Sequence, residues 1–157
     1  MVHELLESCR LNRPTPFRDF VSDEEMNSEF HSEFNSWADR LLTHHTSSAV
    51  VAYNFNLYEH ANEFAIQLVG TRSFNVTDQD WPCDEIFSSG EDLFHLPHSI
   101  AGDKWQNGLQ AAKCLVENYL QHGTQAGLLK SSRAVGVGFV DGDIEFAYLP
   151  LTHNIEI

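Results

Sequence analysis

The chain has 157 residues, 42% of them hydrophobic and 11% aromatic, which is enough apolar material for one packed domain and too much for a disordered segment. Its 23 acids against 9 Lys and Arg leave a net charge of −14. That field excludes nucleic acid as the expected ligand, because such binding rests on cations that neutralise phosphates, and it disfavours anionic membrane surfaces for the same reason.

Three cysteines, Cys9, Cys83 and Cys114, stand far apart with no C-x-x-C, so neither a disulfide framework nor a zinc finger is predicted and a reducing compartment fits best. The N-terminal residues lack the basic and apolar regions of a signal peptide, and no run approaches ~20 apolar residues. The expectation is a soluble cytoplasmic protein.

In chain order, a mixed N-terminal stretch passes through Arg13-Pro14-Thr15-Pro16, an extended connector because residues before proline avoid the helical region. Ser22-Asp23-Glu24-Glu25 reads as a capping box, with Ser22 as N-cap and Glu25 reaching back. Met26, Phe30, Phe34, Trp37, Ala38, Leu41 and Leu42 follow at helical spacing, which predicts a helix from 23 to about 43.

From Val51 the chain alternates, with Val51, Tyr53, Phe55 and Leu57 on one side. After Glu59-His60-Ala61-Asn62 it alternates again through Phe64, Ile66 and Leu68, which predicts an antiparallel hairpin. Residues 73–102, punctuated by Pro82, Gly90, Pro97 and Gly102, read as mostly irregular, with short strands near 81–87 and 92–96. Asp103-Lys104-Trp105-Gln106 opens a second helix whose buried stripe is Trp105, Leu109, Ala112, Leu115, Val116, Tyr119 and Leu120. Gly108 is a mild internal cost and Gly123 the stop signal. Ala134–Val140 and Asp143–Leu149 flank Asp141-Gly142, the signature of a tight hairpin whose two central residues take positive φ.

Hairpins with separate helices argue for an α+β fold and against a nucleotide-binding βαβ unit. The expected architecture is a single antiparallel sheet built from two hairpins, with two main helices packed on one face, over residues 1–157 as one domain.

No phosphate-binding loop is present: Gly136-x-Gly138 lies inside a strand and precedes a turn, so these glycines are expected to face a packed neighbour. No nucleophile stands out, since Asp84 and Glu85 suppress the Cys83 thiolate and Cys114 belongs to a helix core. No cofactor is expected, and enzymatic activity is the less favoured reading. His95 and His98 are weak metal candidates, with Asp78, Asp80, Asp84 and Glu85 as possible oxygen ligands of a metal-binding protein or hydrolase. His44-His45 and His60 read as solvated loop residues.

The most distinctive stretch is Ser73–Asp103, whose 31 residues contain seven acids, four large aromatics and no Lys or Arg. Within it Asp78, Asp80, Trp81, Asp84, Glu85 and Phe87 suggest an aromatic anchor ringed by carboxylates, the layout of a protein-binding hot spot. The expected function is therefore a non-enzymatic acidic binding protein that engages a basic protein partner. In charge and size the chain is similar to small acidic inhibitors of cationic nucleases, such as bacterial immunity proteins, although no motif carries that likeness. A structural homodimer joined through hairpin edges is the remaining alternative. Nine His make charge-steered binding sensitive to pH: their protonation moves the net charge from −14 to −5, so binding is expected to weaken between pH ~7.5 and ~6.

Overall fold

The computed structural model describes residues 23–44 and 48–150. The connector around Pro14 and Pro16, the capping residue Ser22 and His45 lie outside the described residues. Helix α1 spans Asp23–His44. Strands β1 (Ala52–Glu59) and β2 (Glu63–Thr71) form the first hairpin, in register from Ala52 opposite Thr71 to Glu59 opposite Phe64.

A short 3₁₀ turn, Trp81–Cys83, leads into β3 (Glu85–Ser88), which is followed by β4 (Phe94–Pro97) and α2 (His98–Ala101). Helix α3 (Trp105–His122) and α4 (Ala126–Lys130) precede β5 (Val135–Phe139) and β6 (Glu145–Tyr148). Among the described residues no helix is long and apolar enough to cross a membrane.

The six strands make one mixed sheet in the order β3-β2-β1-β5-β6, with β4 also paired to β2. Both expected hairpins are present, but the sheet is not purely antiparallel. The hairpins join through β1 and β5, which run parallel, with Tyr53 opposite Val135 and Leu57 opposite Phe139. Parallel neighbours need a long crossover, and here the chain between β2 and β5 supplies it, carrying α3 across the sheet. The segment 73–102 is also more regular than its composition suggests. Strands β3 and β4 lie along the same edge of β2, β3 against Val69–Thr71 and β4 against Glu63–Ile66.

The two sheet faces have different fates. Tyr53, Phe55 and Leu57 of β1 and Phe64, Ile66 and Leu68 of β2 face a large core shared with Phe34, Trp37, Ala38 and Leu42 of α1 and with Ala111, Ala112, Leu115, Val116 and Tyr119 of α3. The opposite face carries a small cluster of Ala52, Trp81 and Ala134, flanked by Phe74, Ile144 and Phe146. Beside it runs a polar chain: Asn54 donates to Asn56 at 2.6 Å, and Asn56 and Tyr58 both donate to Gln67 Oε1 at 3.2 and 3.0 Å.

Two features of the local chemistry differ from the sequence expectation. The Asp141-Gly142 turn contains no positive φ; only Gly90 and Gly102 take such angles among the described residues. The connection between β5 and β6 is five residues long, and its turn is closed by Gly142 N–H donating to Phe139 O at 2.9 Å, so the mirror-image geometry of a two-residue loop is not needed. The strand glycines do face packed neighbours, as expected. A Cβ on Gly138 would sit 2.6 Å from Asp143 O, and one on Gly136 would sit 2.7 Å from Ile144 Cγ2.

Gly108 is no mere cost. A Cβ there would lie 2.7–2.8 Å from three ring carbons of Phe64, so its absence lets α3 settle onto β2. Gly108→Ala gains about 1 kcal/mol of helix propensity but incurs an overpacking penalty of about 1–3 kcal/mol against a ring that has no free space. We expect a net loss of about 1 kcal/mol, read as a lower urea midpoint; a raised midpoint would show that the helix lifts off Phe64 freely.

Candidate functional site: an acidic groove at one end of the sheet

The six residues singled out from the sequence do not form one site. Trp81 is only 2% exposed, and its indole stacks on Phe146 at 6.4 Å and meets Phe74 edge-on at 5.0 Å. Phe87 packs against the large core on the other face of the sheet. The chain turns at Trp81–Cys83 so that the indole covers Ala52 and Ala134, two small residues that leave room for it. The indole expected as a surface anchor is therefore interior.

The carboxylates around it also separate. Asp78, Asp80 and Glu85 are exposed. Asp78 Oδ1 accepts the Asp80 N–H at 2.9 Å, which shapes the turn. Asp84 accepts from Ser73 Oγ at 2.8 Å and pairs with Arg72 at 3.5 Å. Asp92 pairs with Arg40 of α1, whose hydrogen bond holds the Asp92 carboxyl below its usual range. A stretch without cations in sequence thus receives one from α1 and one from the residue that immediately precedes it.

The metal candidates do not converge. His95 projects from β4 to Glu63 Oε2, 2.7 Å from its Nδ1, and this hydrogen bond lowers the Glu63 pKa. His98 starts α2 and lays its ring against Phe64 at 4.6 Å. Among the described residues no group of three His, Cys, Asp or Glu has the arrangement to hold a metal ion.

A different site forms where the parallel pairing of β1 and β5 brings two turns to the same end of the sheet. The β1–β2 turn brings Glu59 and His60, and the β5–β6 loop brings Val140, Asp141 and Asp143. Val140 N–H donates to Leu57 O at 3.2 Å, which fixes the second turn beside the first. The start of α3 closes the third side with Trp105 and Leu109, and Leu57 and Phe139 lie in the lining. The result is an open groove of about 780 Å³.

The groove contradicts the burial expected of Trp105. Its indole is 53% exposed and meets Phe139 edge-on at 6.4 Å, and Val140 is 55% exposed. Trp105 does lie in register with the buried stripe of α3, but it meets the sheet only at Phe139, the last residue of β5, among the described ring contacts, and half of the indole stays open.

The electrostatics are one-sided. Among the described residues no Lys or Arg lines the groove. Glu145 at its margin is neutralised by Lys113 at 3.3 Å, whereas Glu59, Asp141 and Asp143 have no ion pair among the described residues. Gln79 Oε1 accepts the Ile144 N–H at 2.9 Å and ties the acidic loop of residues 78–80 to the β5–β6 loop, although neither Asp78 nor Asp80 lines the groove itself.

Sequence reasoning missed Glu59, Trp105, Val140, Asp141 and Asp143 as a group. The one local signal was an exposed-looking turn, Val140-Asp141-Gly142-Asp143, that places a large apolar residue among acids. No protein-family model, curated protein or solved structure matches the chain, so the site is read from its own chemistry alone.

Proposed function

We propose that the chain is a non-enzymatic binding protein that engages a basic protein partner through the groove between the two turns and α3. The observation that carries this reading is Trp105, an indole left half-exposed in a groove whose rim, among the described residues, holds unpaired carboxylates and no Lys or Arg. Hot spots favour a large aromatic that completes its burial on binding, and a rim of one charge sign steers an oppositely charged partner. Asp78 and Asp80 keep a part in the proposal as flanking charge, joined to the groove through Gln79. Trp81 and Phe87 act by holding the scaffold. The likeness in charge and size to acidic inhibitors belongs to the same reading.

The test begins by capturing a partner from the native host on the immobilised chain and purifying it. The expected partner is basic, and its association rate falls about tenfold or more as salt rises from about 50 to about 500 mM. Asp141→Lys with Asp143→Lys is expected to slow association about tenfold and leave the urea midpoint unchanged, since both side chains are exposed; Asp78→Lys with Asp80→Lys slows it less. Association rates indifferent to salt and to both double variants would remove the proposal.

A further inference from the structure

We infer that the groove is built for an arginine side chain of the partner, with the guanidinium lying on the Trp105 indole between the carboxylates of the two turns. This rests on the basic-partner reading and narrows it from a charge sign to one chemical group.

The argument starts from what the groove offers. Glu59, Asp141 and Asp143 are carboxylate acceptors with no side-chain donor among the described residues, so an occupant that brings donors and positive charge suits them. Leu57, Leu109, Phe139 and the indole make the floor and wall apolar, so the occupant must also tolerate desolvation over a flat surface. A lysine ammonium is a strongly hydrated point charge and meets only the first demand. A guanidinium meets both: it is planar, weakly hydrated, stacks on aromatic faces and spreads five N–H donors toward several carboxylates at once.

The geometry of the indole agrees. Trp105 touches Phe139 edge-on, with 82° between the ring planes, so that contact does not cover both indole faces. The carboxylates come to the groove from two separate turns, β1–β2 and β5–β6, and a branched fork offers donors in several directions where an ammonium is a single point of charge. The chain already makes such a contact elsewhere, with the Arg133 guanidinium 5.7 Å from the centre of the Phe74 ring. Lys104, next to Trp105 in the chain, is the N-cap residue of α3 and lies outside the groove lining, leaving the place open to a cation from another molecule.

The test uses two capped peptides, acetyl-Gly-Arg-Gly-Arg-Gly-amide and its lysine counterpart, titrated into the ¹⁵N-labelled full chain. The readout is the tryptophan indole N–H resonances. Trp37 and Trp81 are buried and serve as internal controls of the fold, and Trp105→Phe assigns the remaining signal. The expected result is a saturable shift of the Trp105 resonance alone, with the arginine peptide about three- to fivefold tighter than the lysine peptide, the margin a cation–π contact at an exposed site supplies. Asp141→Asn with Asp143→Asn is expected to weaken the arginine peptide by a similar factor or more.

Equal affinity for the two peptides would overturn the arginine inference and leave the basic-partner reading standing. A shift that survives the double asparagine variant undiminished would likewise overturn it, by removing the carboxylates from the site. Failure of both peptides to move Trp105 at millimolar concentration would defeat the inference and the broader reading together.

Discussion

Phe34→Ala is expected to lower the unfolding free energy by about 4 kcal/mol, the range for deleting a fully buried phenyl ring from a core that cannot collapse around the gap. Phe34 has no exposed surface and touches four other rings: Phe94 at 5.2 Å, Trp37 at 5.4 Å, Phe55 at 5.8 Å and Tyr119 at 6.4 Å. Those partners belong to β4, α1, β1 and α3, so one side chain joins both long helices to the centre and the edge of the sheet. The contacts with Phe94 and Tyr119 are edge-on, the geometry that adds to area burial. Urea unfolding followed by tryptophan emission measures the loss. Phe30, at the margin of the same cluster and, among the described residues, in ring contact with Phe94 alone, is the internal comparison: Phe30→Ala should cost less than half as much. Equal losses at the two positions would mean that Phe34 is not the junction described.

Asp39→Ala is expected to cost about 3 kcal/mol, although Asp39 is only partly buried and on a helix face that reads as wet. Its Oδ1 accepts from the Tyr119 hydroxyl at 2.5 Å and from the Thr124 and Gln125 N–H groups at 3.1 and 3.3 Å. The two amides are donors at the start of α4 that have no partner within that helix, so a side chain 80 residues upstream of Tyr119 caps α4 and satisfies a buried phenol together. Burial first, and then the bond to Asp39, raise the Tyr119 pKa far above the ordinary phenol range, so the hydroxyl stays a donor at every working pH. Alanine leaves the buried phenol without its acceptor, at about 1–3 kcal/mol, and takes the cap from the Thr124 N–H, at about 0.5–2 kcal/mol, while the Gln125 N–H keeps the Tyr119 hydroxyl oxygen at 3.1 Å. A double-mutant cycle with Tyr119→Phe separates the shares: coupling above about 1 kcal/mol is expected for groups in direct contact, and a coupling near zero would place the loss at the α4 amides instead.

Both predictions concern the scaffold, and the groove depends on that scaffold. Trp105 and Leu109 stand on the first turns of α3, whose seating is set by Gly108 against Phe64 and by Tyr119 against Phe34 and Asp39. Variants that loosen α3 should therefore weaken partner binding as well. Only the surface variants at Asp141 and Asp143 test the groove's charge apart from the fold.

Much of the local structure was legible in the residues. The Phe30–Leu42 stripe became α1, and both alternating pairs became hairpins close to their expected bounds, because helical and strand periodicities report which residues share a face within a few turns of chain. Acidity and the lack of a phosphate loop were equally plain. Periodicity does not say where a face ends, however. Trp105 continues the α3 stripe faultlessly and is still half exposed, because it meets the sheet at the last residue of β5. Trp81 sits in an acidic loop and is still interior, because two alanines on the far face of the sheet leave space for an indole. The absence of cations from residues 73–103 is likewise a property of the chain and not of its surroundings, since Arg40 arrives from α1 and Arg72, the residue just before the stretch, turns back to Asp84.

The decisive contact is the parallel pairing of β1 with β5, between segments about 80 residues apart. It closes a long loop, its strength is spread over backbone hydrogen bonds that any residue can make, and nothing in either strand marks the other as its neighbour. Antiparallel pairing of the same two strands would have sent Glu59 and Asp143 to opposite ends of the sheet. The sequence by itself determined the acids, the indole and the elements that carry them; the direction of one strand beside another determined that they share a groove.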